Sequence, residues 1–434
     1  MNRNKFLKNT FFLILGGFLT KIIGFVIKIL YTRYLKSEGV SLVTLIFPTY
    51  ALLLTISSFA LPLAVTKLIA ENKKRKSKIL FSSFWITSFI NLIIIIFTFT
   101  FSDFFANNIL HEPRCALLLK ILCLTLPFIS TTSLIKAYFF GMENVLPITV
   151  SNVLEETVKL SMVAAFLPRF VEKNIMTGVT FYLLINFLCE VMSFFSLYIF
   201  LPKKFKFKNL SYKYDNKCAG EMAKICIPTL SGKLIGSIGY FFEPIILTNL
   251  LIFKGYNADF IRLNYGYYEG YVIALLTIPS FFLLAFSNNI IPMITKLKIH
   301  QKYKEFIKII KKIILYTFLG GLIFVIILKL YGIKIMLTLY KTTNGYKYLM
   351  TLLPFFILFY LESPLLSILQ SLDQERNVFK ITTYGIIIKY LSLVTLIMHN
   401  VGFNSLIISE IINIIFVILT STYYLKKSFY HFSQ

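Results

Sequence analysis

Apolar residues in this chain come in long unbroken runs, not in the alternating or three-to-four-residue rhythms of soluble strands and helices. A helix rising about 1.5 Å per residue needs about 20 apolar residues to cross a bilayer. Twelve segments reach that length: 9–34, 41–69, 79–102, 115–140, 146–168, 177–201, 222–250, 266–294, 313–333, 348–371, 378–398 and 404–425. The pattern predicts an all-α polytopic membrane protein. Asn2–Lys8 followed by Phe11–Leu19 has the layout of a signal peptide. No small-residue cleavage site follows, however, and the run continues past Lys21 to Leu30, so we read an uncleaved first span.

The punctuation of the first spans returns in the second half. Glu38-Gly39, Pro48, Pro62 and Thr66-Lys67 recur as Glu269-Gly270, Pro279, Pro292 and Thr295-Lys296, at offsets of 231 falling to 229 residues. Gly17 and Gly24 correspond to Gly232 and Gly239 at an offset of 215, and a longer loop, 251–264, takes up the difference. Leu126-Pro127-Phe128 returns as Leu353-Pro354-Phe355. Self-similarity at a long fixed period signals duplication. Each copy holds six spans, an even number, so both insert in the same sense. The expectation is two parallel six-helix repeats around a central cavity, with an N-terminal bundle 1–201, a basic linker 202–219 and a C-terminal bundle 220–434.

Composition agrees: 57% of residues are hydrophobic and 15% charged, and the mean hydropathy is +0.75. The net charge of +26 raises the question of nucleic acid, but its distribution answers differently. Alternate connections carry 25 basic residues on one side and nine on the other, which places both termini in the cytoplasm of a cell membrane. Lys203-Lys204-Phe205-Lys206-Phe207-Lys208 in the linker suits a strip on anionic headgroups. The five cysteines are scattered and the four histidines far apart, so neither disulfides nor a metal site is indicated. No phosphate-binding loop points to ATP, and no carboxylate–histidine set marks a catalytic centre. No cofactor is expected.

Charges inside the spans carry the functional reading. A Lys or Asp at mid-helix costs about 2.5–3.5 kcal/mol, and such residues usually face an aqueous cavity or a partner. Lys21 lies about 15 Å from the inner end of span one, and Lys28 follows two turns on, on nearly the same face. Arg33 sits near the outer boundary, within snorkelling reach. Gly16, Gly17 and Gly24 leave room for a neighbouring helix. Span five carries Glu155, Glu156 and Lys159; Glu155 and Lys159 are spaced for an ion pair, either a self-neutralised helix lock or part of a site. Span seven carries Lys233 and Glu243, the latter before Pro244 and at the repeat position of Lys28. Span ten carries Glu362, closely followed by Pro364. A proline frees a carbonyl one turn back; beside a carboxylate it could hold a cation or proton, or the pair could be an ordinary kink with a hydrogen-bonded acid. Glu190, Lys389 and Glu410 complete the set. We take Lys21, Lys28, Arg33, Lys159 and Lys233 as substrate-binding candidates, and Glu155, Glu243 and Glu362 as candidates for coupling or gating. A mainly cationic passage suits an anionic substrate.

Gly17, Lys21, Gly24, Arg33-Tyr34-Leu35 and Glu38-Gly39, with Tyr138-Phe139-Phe140-Gly141-Met142 and Glu155…Val158-Lys159, resemble the stage V sporulation protein B family. That family lies in the polysaccharide-exporter branch of the multidrug/oligosaccharidyl-lipid/polysaccharide flippase superfamily. The resemblance implies a flippase that turns lipid-linked (polyprenyl-diphosphate) oligosaccharide or peptidoglycan precursor across the membrane by alternating access, for cell-wall or spore-cortex synthesis. By analogy with related lipid II flippases, first-half cations would hold the diphosphate. Lys21 and Arg33 match the family position by position, and Lys159 stands where Arg is common. Lys36 departs from the usual Gly, and the chain ends after twelve spans where many relatives have two more. The implied partners are the lipid-linked sugar, anionic membrane lipids and a coupling cation or proton. A cation-coupled multidrug or small-solute exporter of the same architecture is the alternative; its cavity should be dominated by carboxylates. A membrane glycosyltransferase, polymerase or ligase would need acidic catalytic residues and a sizeable external loop.

Overall fold

Every regular element among the described residues of the computed structural model, which are 3–71, 76–202, 215–280 and 303–433, is a helix. In chain order they are α1 (Arg3–Ser58), α2 (Leu61–Glu71), α3 (Lys76–Phe104), α4 (Cys115–Gly141), α5 (Leu146–Lys173), α6 (Ile175–Phe200) and α7 (Asn216–Phe253). They continue with α8 (Ala258–Tyr265), α9 (Ala274–Leu276), α10 (Tyr303–Tyr340), α11 (Tyr346–Ser371), α12 (Glu375–Met398) and α13 (Asn404–Ser433). A π-helical turn, Phe105–Ile109, extends α3, and a second, Gly266–Ile273, joins α8 to α9. Among the described residues nine helical stretches are long and apolar enough to cross a membrane. Helix α5 falls outside that set because Glu155, Glu156 and Lys159 sit in its middle. The chain is a multi-pass membrane protein. Part of the eighth expected span, the basic strip Lys203–Lys208, and the repeat positions Pro292 and Thr295-Lys296 lie outside the described residues.

The chain divides into two compact units, Met1–Phe242 and Glu243–Gln434. In the first, α1 contains two of the expected spans and reverses direction at one residue, Lys36. The contacts establish the reversal. Gly16 lies against Thr149, and Gly24 lies near Glu156, so the first leg runs parallel to α5. Tyr50 meets Thr125 and Ser57 bonds Asn91, which in turn bonds Ser130, so the second leg runs parallel to α4. Helices α4 and α5 are joined by the short turn 142–145. The two legs of α1 therefore point in opposite senses.

Lys36 makes this turn with φ 54° and ψ −171°, a region that only glycine enters without strain, at a cost of about 1–3 kcal/mol for other residues. This is the position where the sequence departs from the glycine usual in its resemblance family. Lys36→Gly should raise stability by about 1 kcal/mol, read as a higher unfolding midpoint in detergent with insertion unchanged. An unchanged or lower midpoint would mean that neighbouring contacts, not the backbone, set the turn.

Those neighbouring contacts are ionic and tight. Arg114, in the α3–α4 connection, donates to Glu38 at 2.7 Å and to both oxygens of the buried Glu112 at 2.7 and 2.9 Å. The Glu112 carboxylate, followed by Glu38, holds the Arg114 guanidinium above its already high ordinary value. The fork is bidentate toward Glu112, the stronger geometry for such a pair. A Cβ on Gly39 would lie 2.8 Å from that of Leu35 and 3.1 Å from Val179, so only hydrogen fits beside the turn.

At the opposite end of this unit, a Cβ on Gly141 would stand 2.8 Å from the Thr66 carbonyl oxygen. The Thr66 hydroxyl donates to the Ala137 carbonyl at 3.2 Å, pinning α2 to α4. Between Ser58 and Leu61, Phe59 and Ala60 both take positive φ and break the second leg from α2. The start of α7 belongs to this end: Cys218, Met222 and Cys226 are buried among Phe81, Leu197 and Leu201. Asp215 caps it, accepting from the Lys217 and Cys218 amides at 2.9 and 3.3 Å.

The second unit is built around α11. Leu361, Leu365, Ile368 and Leu369 pack with Phe306, Ile310 and Ile313 of α10 and with Val417 and Ile418 of α13. Tyr360 donates to the Leu276 carbonyl at 2.7 Å, and Tyr348 to Asn264 at 2.6 Å, so α11 also holds the α8–α9 segment. Gly385 brings α12 close to α13, because a Cβ there would meet Asn413 at 2.8 Å.

Candidate functional site

Charged side chains inside the first unit gather from four helices. Lys136, in the last third of α4, pairs with Glu155 of α5 at 3.8 Å; both side chains are largely buried. Glu156 lies within electrostatic reach of Lys159, Glu155, Lys21 and Lys136. Its carboxylate comes within 3.8 Å of the space a Cβ would fill on Gly24, so the glycine gap in α1 admits it. Glu190, on α6, contacts Glu155 and is within reach of Lys136 and Lys159. Three lysines and three glutamates thus share one region of a membrane bundle. Lys21 is the exposed member, while Lys159, Lys28 and Arg33 are half-buried.

The helical spacing of Glu155 and Lys159 predicts a pair with each other. The ion pair that Glu155 makes is instead with Lys136, a residue one helix away. Lys136 is the member that sequence reasoning passed over, although a lysine between Ile135 and Ala137 is the same signal that singled out Lys21. Hydroxyls border the group: Tyr50 lies 3.3 Å from Thr125, and Tyr31 packs on Tyr182 with ring centroids 4.6 Å apart. Lys233, on α7, is exposed and has no ionic partner among the described residues. A separate apolar recess of about 330 Å³, lined by Phe59, Leu61, Ile86, Met222 and Cys226 among others, contains none of these charges.

The second unit holds a tighter arrangement. Lys389 of α12 donates to Glu243 of α7 at 2.5 Å and bridges to Glu410 of α13 at 2.6 Å. The three side chains are only 14%, 5% and 13% exposed. Tyr265 donates to the other oxygen of Glu243 at 3.3 Å. Glu362, on α11, is half-buried and feels the charge of Glu410. Glu243 therefore sits in a three-helix ion network, and Glu362 stands at its edge.

In the order of spans expected for the two halves, helices of the same rank carry ionisable residues in each. The first helix gives Lys28 in one copy and Glu243 in the other, the fourth gives Lys136 and Glu362, the fifth Lys159 and Lys389, and the sixth Glu190 and Glu410.

Residues 6–298 of the chain match the family of polysaccharide biosynthesis proteins. This chain belongs to that family. The resemblance carried by Gly17, Lys21, Gly24 and the Arg33–Gly39 stretch is thereby borne out. This polysaccharide biosynthesis family member is similar to stage V sporulation protein B of Bacillus subtilis (strain 168): 29% identical over 402 residues, covering 90% of this chain and 77% of that protein. Lipid II flippase MurJ of the same organism is 25% identical over 173 residues, covering 36% of this chain and 31% of that protein. A solved inward-facing conformation of a multidrug resistance MATE family transporter of the MOP superfamily aligns with a TM-score of 0.78 at 12% identity, covering 95% of each chain. At that identity the likeness establishes the fold of this family member, and the chemistry must be argued from its own charges.

Proposed function

We propose that this protein flips a lipid-linked, polyprenyl-diphosphate sugar, an oligosaccharide or peptidoglycan precursor, across the cell membrane by alternating access. The observation that carries this reading is the gathering of Lys21, Lys136 and Lys159 from three helices around Glu155, Glu156 and Glu190. A sugar diphosphate exposes many hydroxyls and two phosphates, each costing several kcal/mol in hydrocarbon, so unaided crossing is negligible. Lysine ammoniums hold phosphate as point charges without a rigid fork. In the substrate-free protein each ammonium has a carboxylate nearby. The diphosphate competes for the same lysines, so binding stays moderate and the headgroup can leave again. Lys28 and Arg33 continue the positive track along α1, and Lys233 receives the headgroup from α7.

Glu155 acts in coupling, because losing Lys136 to the phosphate leaves it to take up a proton or small cation. Glu362 fills the same role in the second unit, and Glu243 gates through its pairing with Lys389. The basic cytoplasmic segments rest on anionic lipid and both termini face the cytoplasm. The protein moves its substrate without converting it, which separates it from the glycosyltransferases and ligases of the same pathway chemistry. The family match and the similarity to a named lipid II flippase support the sugar lipid over a drug, for which only the shared fold speaks.

The test is reconstitution into liposomes loaded with candidate lipid-linked sugars, followed by the rate at which headgroups become accessible at the outer face. Acceleration over protein-free liposomes is expected. Equal rates for every lipid-linked sugar, with export of a cationic drug in the same vesicles, would replace this reading with the exporter.

A further inference from the structure

We propose that Lys389 is a tethered counter-cation: its ammonium fills a two-carboxylate site that would otherwise take a small monovalent cation. The second unit then keeps its charges balanced without an exchangeable ion at Glu243.

The geometry has three parts. First, the two carboxylates come from different helices and are both largely buried, which is costly unless a cation lies between them. Second, one nitrogen satisfies both, at 2.5 and 2.6 Å, and occupies the point where an alkali ion would have to sit. Third, tyrosine hydroxyls border the two carboxylates. The Tyr265 hydroxyl is bonded to Glu243, and Tyr268 and Tyr390 lie within electrostatic reach of the triad. Hard monovalent and divalent ions are held by such carboxylate and neutral oxygen sets, whereas an ammonium needs only acceptors. Shortening residue 389 therefore vacates a position with two carboxylates still facing it.

The inference does not depend on what the protein transports, and its test reads binding rather than flipping. Purified wild-type protein should show the same unfolding midpoint in sodium chloride and in choline chloride at equal ionic strength, and should retain no radioactive sodium that depends on Glu243. Lys389→Met fills the stem of the lysine with apolar volume but removes the charge. It should bind about one sodium ion per chain and gain roughly 3–5 °C in midpoint at saturating sodium. Adding Glu243→Gln to Lys389→Met should abolish that gain. Two outcomes overturn the proposal: a folded Lys389→Met protein indifferent to sodium and potassium, or a wild-type protein whose bound sodium is lost in Glu243→Gln. If Lys389→Met fails to fold, the wild-type arm decides alone, since Glu243-dependent sodium in the presence of the lysine is incompatible with the ammonium holding the site, and its absence supports it.

Discussion

Lys389→Ala should lower the stability of the folded protein by about 3–5 kcal/mol in sodium-free medium, because it strands two buried carboxylates without their cation. The expected size comes from the asymmetry of buried ion pairs. Making the pair gains little over an apolar substitute, but removing one partner leaves an uncompensated charge away from water. Glu243 and Glu410 are 5% and 13% exposed, so water cannot take over the lost role. A triple variant, Glu243→Gln with Lys389→Met and Glu410→Gln, should recover most of the loss. Chemical denaturation of the purified variants in detergent gives the comparison. A loss of under about 1 kcal/mol for Lys389→Ala would put the network in the class of exposed pairs and contradict the burial.

Lys21→Ala should abolish most headgroup transport while the protein inserts and accumulates normally. Its side chain is exposed within the first unit, so its removal leaves no cavity. A charge-assisted hydrogen bond contributes about 1.5–3 kcal/mol, so one lost contact to phosphate corresponds to roughly a 10- to 150-fold drop. Lys136→Ala should lose a similar factor, and Lys136→Arg should retain more, since it keeps the charge facing Glu155. Lys136→Ala also removes the 3.8 Å partner of Glu155, so its unfolding midpoint must be measured alongside its rate. Wild-type transport by Lys21→Ala would take that residue out of the substrate site. Cysteines placed at 21 and 28 that never react with aqueous reagents from either side would do the same for both.

Most of the helical layout was legible in the sequence because membrane spans declare themselves by length and apolarity. The charged set of α5 was legible for the complementary reason: three ionisable residues in an otherwise apolar run need a partner. What was not legible is which partner. Glu155 turns to Lys136 on the neighbouring helix instead of to Lys159 one turn on, because helix packing, not local spacing, sets the distance. Glu243 and Lys389 are 146 residues apart, and nothing in a single chain announces that they meet. The reversal at Lys36 was expected as a loop around residues 35–40, yet helix resumes at once and the turn is paid for in backbone strain at one lysine. The break at Phe59–Ala60 had no glycine to mark it. Its positive φ values are imposed by the buried packing of α2 against α4.

The paired helices of the two copies allow one more deduction. A protein made by fusing two identical ancestors begins with matching ionisable residues at matching places. Here the sign has diverged at one of those places: Lys28 answers to Glu243. A symmetric assembly of one gene product could never sustain that difference, since any change would appear in both partners together. Within one chain each half can change alone, and in the roles proposed above one meets an anion while the other carries its own counter-charge.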